Sequence, residues 1–237
     1  WALLAIKVEK HIKERSLTLD SFLLGIKRRS YSEMSLFLNH ETSWFRDPWV
    51  FDSLKEKILP ALLSGLQNRQ LRVWSAGCSS GQEIYSLVMM IHKCFPHVWN
   101  ADLFFYATDV SEETLDVMRN CLYTPFELSR GLPPYYMKSY FEKEGNHYRL
   151  KSIIRDRVCV EPHNLLDDWA LIPKMDLILM RNVLQYLSVE SQNHIVSKVP
   201  SKLSNHGALI LGASDHIGLN MQEWKHHQNR LTSWFQV

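Results

Sequence analysis

The chain has 237 residues, 46% of them hydrophobic and 22% charged, which is enough apolar material for one full core plus a small appendage. A formal net charge of +2 is too small to signal a nucleic-acid binder. The four cysteines (Cys78, Cys94, Cys121 and Cys159) form no C-x-x-C pair, so neither a zinc site nor a disulfide framework is indicated and a reducing, cytoplasmic setting is expected.

Residues 1–6 are apolar, but Lys7, Glu9 and Lys10 follow at once, which is not the pattern of a secretory leader. The first residue is Trp1, as a fragment of a longer chain would also show. No apolar run approaches the roughly 20 residues a membrane span needs, so no membrane insertion is expected. Residues 2–15 and 20–29 read as two short helices. Leu3, Leu4, Val8 and Ile12, then Phe22, Leu23 and Ile26, fall near helical spacing, with Asp20 as N-cap of the second. Seven basic residues here (Lys7, Lys10, Lys13, Arg15, Lys27, Arg28, Arg29) face three acidic ones (Glu9, Glu14, Asp20). The excess fits either a solvated helix face or a docking surface for an acidic partner.

After a linker at about 38–50, a helix is expected over 51–66. A regular alternation follows: strand 71–76, helix 83–95, strand 103–108 and helix 112–121. It resumes with strand 175–180, helix 189–203 and strand 208–212. Strands alternating with helices imply βαβ units and a parallel sheet, an α/β fold. Segment 123–160 interrupts the pattern with Gly131-Leu-Pro-Pro134, apolar runs at 148–150 and 158–160, and a Gly145-Asn146 turn signal. It reads as an inserted subdomain carrying a short hairpin.

The strongest chemical signal is Val73-Trp-Ser-Ala-Gly77-Cys-Ser-Ser-Gly81-Gln-Glu83, where the first strand gives way to a helix. Ligands of doubly wound sheets bind outside the carboxyl ends of strands, and glycines let the backbone approach them closely. The spacing is G-x-x-x-G, neither a dinucleotide fingerprint nor a phosphate-binding P-loop, and no lysine follows Gly81. Glu83 near the helix N-terminus suits a cationic ligand, or simply favours the helix dipole. Asp109, at the tip of the second strand, suits a pair of ribose hydroxyls, or caps the following helix. Together they favour an adenosine-containing ligand carrying positive charge, such as S-adenosylmethionine. The 11 histidines form no H-x-x-x-H pair with an acidic partner, so no metal site is expected. Trp44 and Phe45 beside Arg46 read as an aromatic lid rather than a base-stacking patch.

From about residue 36 the chain resembles the CheR-type chemotaxis protein methyltransferases. The match lies in Glu41-Thr-Ser-Trp-Phe-Arg46-Asp-Pro, Arg72-Val-Trp-Ser-Ala-Gly-Cys-Ser-Ser-Gly-Gln-Glu83, Ala107-Thr-Asp109, Asn164-Leu165-Leu166, Arg181-Asn182-Val183-Leu184-Gln-Tyr186 and Leu209-Ile-Leu-Gly-Ala-Ser-Asp215. Each motif is weak alone; their order and spacing make the resemblance specific. It implies a seven-stranded Rossmann-like methyltransferase sheet with helices on both faces, over residues 36–237. A small β flap inserted at about 123–160 and a shortened N-terminal helical region over 1–35 complete the expected architecture.

The resemblance further implies S-adenosylmethionine as cofactor and S-adenosylhomocysteine as product. Thr42 and Arg46 would meet the methionine carboxylate, Glu83 the ammonium and Asp109 the ribose. Asn164 and Leu165 would frame the adenine, with Asn182 and Val183 near the transferred methyl. Gly77 and Gly81 would form the cofactor turn. The implied activity is esterification of glutamate side chains on chemoreceptor cytoplasmic helices. A glutamate acceptor is already ionised at neutral pH, so no general base is needed. Arg72 and Tyr186 are the candidate catalytic residues on the substrate side; the alternatives are a surface ion pair and a pocket wall, respectively.

The chain departs from its relatives at His40, where many carry Asn, at Gln82 for Glu, and at Asp215 for Glu. The flap turn in 141–150 is shorter than in relatives that grip a receptor's tail peptide, so no such tether is expected. Competing readings are a methyltransferase of another substrate class and a catalytically degenerate cofactor-binding or scaffold module. A nicotinamide-dependent dehydrogenase is disfavoured by G-x-x-x-G.

Overall fold

The computed structural model describes residues 2–28, 41–66, 70–100, 102–215 and 224–236. Helices α1 (Ala2–Glu14) and α2 (Leu19–Lys27) occupy the N-terminal region. The N-cap of α2 is Thr18 rather than Asp20. The Thr18 hydroxyl accepts from Ser21 N at 3.1 Å, and the Ser21 hydroxyl accepts from Thr18 N at 2.9 Å. Asp20 lies in the first turn, where its charge favours the helix dipole. His40 and the expected boundary near residue 35 fall outside the described residues.

The expected helix over 51–66 begins earlier, as α3 (Pro48–Ser53), because Pro48 suits a first helical turn. It continues as a π turn (Leu54–Ile58) into α4 (Leu59–Ser64). Pro60 has no N–H to give an α-helical bond, and the wider turn precedes it.

Strands β1 (Leu71–Ala76) and β2 (Leu103–Asp109) are joined through α5 (Gln82–Cys94) and α6 (Pro96–Trp99). Helix α7 (Glu112–Asn120) follows β2, capped by Ser111. The insertion holds β3 (Leu122–Tyr123), α8 (Pro125–Ser129), α9 (Pro134–Tyr140), β4 (Phe141–Glu144), β5 (His147–Leu150) and α10 (Ser152–Arg155). The main sheet resumes with β6 (Val158–Pro162) and β7 (Met175–Met180). Helix α11 (Val189–Lys202), β8 (Leu203–Leu211), β9 (Lys225–Asn229) and β10 (Thr232–Gln236) complete it.

The seven strands run in the order β6-β2-β1-β7-β8-β10-β9. β1 is parallel to β2 and β7, β2 to β6, and β7 to β8, whereas β10 runs antiparallel to β8 and β9. All six residues of β7 are buried, as in a sheet covered on both faces. Alternate residues of β1 feed different cores. Val73 packs with Ile84, Leu87 and Phe105 on one face; Trp74 packs with Trp169, Ile178 and Ile195 on the other. The chain leaves β1 toward β2 and later returns on the β7 side, so the β1/β7 boundary is the topological switch point.

Two sequence expectations change. Residues 158–160 do not belong to the insertion; they pair with β2 as the edge strand of the main sheet, Val158 opposite Phe105 and Val160 opposite Ala107. A three-residue apolar alternation suits a flap hairpin or a sheet edge equally, and only the partner strand decides. The hairpin β9–β10 was not anticipated, because Lys225-His-His-Gln-Asn229 is polar. There His226 stacks on Phe235 and His227 on Trp234, so ring contacts replace apolar alternation.

The insertion forms its own sheet, β3-β5-β4, with Gly145 (φ +59°) in the hairpin turn. It is anchored by Trp44, whose ring lies edge-on to Tyr123 at 5.0 Å and to Phe141 at 5.3 Å. Gly131 (φ +92°) permits this, because a Cβ there would lie 2.2 Å from the Trp44 carbonyl oxygen. Gly131→Ala is therefore expected to destabilise the fold by about 3 kcal/mol, from strained backbone plus a main-chain clash. Gly145→Ala, with nothing within 4 Å, should lose only about 1 kcal/mol. Urea unfolding of the pair measures both, and equal losses would contradict the close approach.

Candidate active site

The segments that follow β1, β2, β6 and β7 meet at the carboxyl end of the sheet, around the switch point, together with Glu41–Arg46. They enclose a cleft of about 1120 Å³, counting its mouth, ample for a nucleoside-sized ligand. Thr42, Arg46, Gly77, Glu83, Asp109, Asn164, Leu165, Asn182, Val183 and Tyr186 all line it.

Two residues expected at the site are placed elsewhere. Arg72 stands near the start of β1, about 16 Å of strand from Gly77. Its Nε donates to Gln70 at 3.0 Å, and its backbone N donates to Asp176 at 3.0 Å. It braces the opposite end of the sheet. Gly81 is not part of the cleft wall either. It caps α5 at φ +91°, where a Cβ would meet Met118 and Tyr85 at 2.8 Å. Gly77 (φ +79°) is the glycine on the wall: a Cβ there would lie 2.5 Å from Val183 Cγ2 and force that side chain away.

The electrostatic centre is Arg181, its side chain only 1% exposed. Nη1 donates to Glu83 Oε2 at 2.5 Å, and Nη2 donates to Asp47 Oδ2 at 2.5 Å and to the Arg46 carbonyl at 3.1 Å. Its Nε is buried without a hydrogen-bond partner among the described residues. The second oxygen of Glu83 has only a long contact, 3.4 Å, from the Ser75 hydroxyl. Glu83 therefore retains acceptor capacity toward the cleft. Arg46 donates from Nη1 to the Glu41 carbonyl at 3.1 Å, a neutral partner that leaves its charge available to an anion.

Asp109 accepts Ser79 N on Oδ2 at 2.8 Å and Ser111 N on Oδ1 at 3.0 Å. These bonds hold the carboxylate at the strand tip and leave one lone pair on each oxygen, a pattern suited to two neighbouring hydroxyls. Asn164 Oδ1 accepts Leu166 N at 3.0 Å, tightening the loop after β6. Asn182 sits at φ +59°. Asp215 holds it there, accepting Asn182 N at 2.5 Å and Gly212 N at 2.9 Å on Oδ2, and Gln185 N at 3.1 Å on Oδ1.

Arg181, Asp215 and Asp47 stand inside the sequence motifs with no role expected of them there, and His163 lies outside those motifs. The available signal for Arg181 was a charged residue directly after a fully apolar strand end. His163 lies at the cleft with its Nε2 buried, and burial pulls its pKa below the ordinary value, so it is neutral at neutral pH. Burial, reinforced by Asp109, pushes the Cys78 thiol well up, so Cys78 stays protonated. Among the described residues no group of three His, Cys, Asp or Glu side chains is arranged to hold a metal.

Arg181→Met should strand two carboxylates, Glu83 and Asp47, that are mostly shielded from water. The expected loss is about 3–5 kcal/mol of stability, measured by denaturant unfolding. A change under about 1 kcal/mol would show that the triad is not the linchpin drawn above.

A family model described as "CheR methyltransferase, SAM binding domain" matches residues 40–232. Chemotaxis protein methyltransferase 1 of Pseudomonas aeruginosa is 39% identical over 182 residues, covering 75% of this chain and 66% of its own length. Chemotaxis protein methyltransferase Cher2 of Pseudomonas putida is 37% identical, at 75% and 66% coverage. The chemotaxis protein methyltransferase of Vibrio parahaemolyticus is 36% identical, at 75% and 65%. The chain thus spans just under two thirds of the length of these relatives. No described helix is long and apolar enough to cross a membrane. With this match, and with the motif residues gathered around one cleft, the chain belongs to the CheR methyltransferase family and carries its S-adenosylmethionine-binding domain.

Proposed function

We propose that this chain is an S-adenosylmethionine-dependent protein-glutamate O-methyltransferase acting in the cytoplasm on the cytoplasmic helices of chemoreceptors. The observation that carries the reading is the charge arrangement of the cleft. Glu83, in the first turn of α5, and Asp109, at the end of β2, line the cleft together with Arg46, whose guanidinium donates to a neutral carbonyl, and Arg181, which is already paired with Glu83. S-adenosylmethionine offers a complement to each: an ammonium for Glu83, a ribose diol for Asp109 and a carboxylate for Arg46. The orphaned Arg181 Nε and the Gly77 turn, which has no room for a side chain, also fit a built binding site.

In this reading Thr42 and Arg46 hold the amino-acid carboxylate, Glu83 its ammonium and Asp109 the ribose. Asn164 and Leu165 frame the adenine, and Asn182 and Val183 wall the reacting end. The cofactor supplies an electrophilic methyl group. The protein aligns an acceptor with it and excludes water, which in well-oriented cases contributes on the order of 7–11 kcal/mol. A glutamate acceptor arrives ionised, so no residue has to remove a proton. Tyr186, exposed on the cleft wall, is the candidate for orienting that carboxylate. Arg72 is not assigned a role at the substrate. The relatives' printed names support a chemotaxis protein as the methyl acceptor. The hairpin turn at Gly145-Asn146 is tight, consistent with no capture of a receptor tail.

Calorimetry with S-adenosylhomocysteine tests the cofactor, with micromolar binding expected. Arg46→Ala and Asp109→Ala should each weaken binding at least about tenfold, the loss of a charge-assisted contact. Unchanged affinity in both variants would misplace the pocket. Incubation with methyl-labelled cofactor and a receptor cytoplasmic fragment should give base-labile label on protein. Base-stable label would rule out the ester.

A further inference from the structure

The loop between β6 and β7, residues 163–174, has little secondary structure of its own, yet it supplies Asn164 and Leu165 to the cleft. Its main-chain carbonyls need donors from elsewhere. They find them on one stripe of α11. His194, Lys198 and Lys202 are spaced four residues apart, so they project from a single helix face. The Lys198 ammonium donates to three successive carbonyls: Leu165 at 3.1 Å, Leu166 at 3.0 Å and Asp167 at 2.7 Å. His194 Nε2 lies 3.3 Å from the Leu166 carbonyl. Lys202 Nζ reaches the Ile172 carbonyl at 2.8 Å. Trp169, 2% exposed, donates its indole N–H to the Leu165 carbonyl at 3.0 Å and lies beneath the Lys198 ammonium, 5.4 Å from the ring centroid. An ammonium has three donors, and here all three are spent on adjacent peptide groups of the loop that frames the adenine end.

We infer that Lys198 is a positioning residue for cofactor binding: its ammonium fixes the main chain at Leu165–Asp167, and with it the wall against which the adenine ring packs. The inference rests on the cofactor reading above. Lys198 itself is not on the cleft wall; it acts from behind the loop. The same helix also contributes Ile195 to the cleft lining.

The test compares wild type with Lys198→Met and Lys198→Arg. The Met variant keeps the apolar stem over Trp169 and removes the three donors. S-adenosylhomocysteine is titrated calorimetrically, and melting temperatures are recorded alongside. Lys198→Met should bind about tenfold more weakly while melting within a few degrees of wild type; Lys198→Arg, which retains several donors, should recover most of the affinity. In turnover assays KM for S-adenosylmethionine should rise with kcat little changed. Wild-type affinity in Lys198→Met, or a loss that follows a collapse in melting temperature and is not rescued by Arg, would overturn the assignment. Failure of the wild type itself to bind would instead sink the cofactor reading and this inference with it.

Discussion

The arrangement on which the site depends is the burial of Arg181 between Glu83 and Asp47. A guanidinium with a 1% exposed side chain has surrendered its water, and only close carboxylates can offset that loss. The consequence is architectural. The sheet brings β1 and β7 together without help, but Glu41–Asp47 belongs to no strand. Arg181 reaches across to Asp47 and to the Arg46 carbonyl, and so ties that segment to the end of β7. Further ties are Phe45 N to the Ser86 hydroxyl at 3.0 Å, Trp44 N to the Arg130 carbonyl at 3.0 Å, and the more exposed Arg130–Glu41 ion pair at 2.7 Å. The position of Arg46 at the cleft thus follows from the pairing of the buried Arg181 guanidinium.

The same logic recurs around the cleft. Residues that would do chemistry lie on loops beyond strand ends, where the backbone has left its ladder. Each loop is then held by a side chain bonded to main chain. Asp109 takes two amides, Asp215 takes three, and Lys198 gives three bonds to carbonyls. A charged side chain makes stronger hydrogen bonds than a neutral one, so a few residues suffice to rigidify irregular backbone. The substitution of Asp215 for the glutamate common in relatives leaves that arrangement complete. Strand β8 ends close enough for the shorter side chain to span to Asn182, and Gly212 leaves the space, since a Cβ there would lie 2.7 Å from Asn182 N.

What could be read from the sequence follows from how local each signal is. β1 and β7 are mostly apolar by themselves, and their bounds agree with the expected strands at residues 71–76 and 175–180. The G-x-x-x-G turn and the acidic tip of β2 are likewise local patterns, and their residues come to the same end of the sheet. The failures needed a partner that the local pattern does not name. The role of 158–160 depended on β2, that of the polar strand β9 on rings in β10, and that of Thr18 on a hydroxyl three residues on. A guanidinium at Arg72 could steer an acidic substrate, but its place near the start of β1 puts it at the end of the sheet away from the cleft. Gly81 was read as a ligand glycine; its backbone freedom serves the packing of Tyr85 and Met118 instead.

The protonation states near the cleft bear on which acceptor it suits. Methyl transfer to an amine or a hydroxyl requires a proton to leave, and the groups best placed to take one are held back. Burial keeps the Cys78 thiol protonated. His163 is neutral, yet its Nε2 is enclosed without a partner among the described residues and is shut off from a substrate. The lone pairs that Arg181 leaves on Glu83 and the amides leave on Asp109 go, in the proposed reading, to the cofactor's ammonium and ribose. A carboxylate acceptor makes no such demand, because it comes deprotonated. What it does demand is relief from repulsion by the acidic cleft. Pairing Arg181 with Glu83 and Asp47 spreads their negative charge, and a bound sulfonium would complete the neutralisation. Under the proposed function, the cleft with its cationic ligand in place would suit an anionic acceptor such as glutamate.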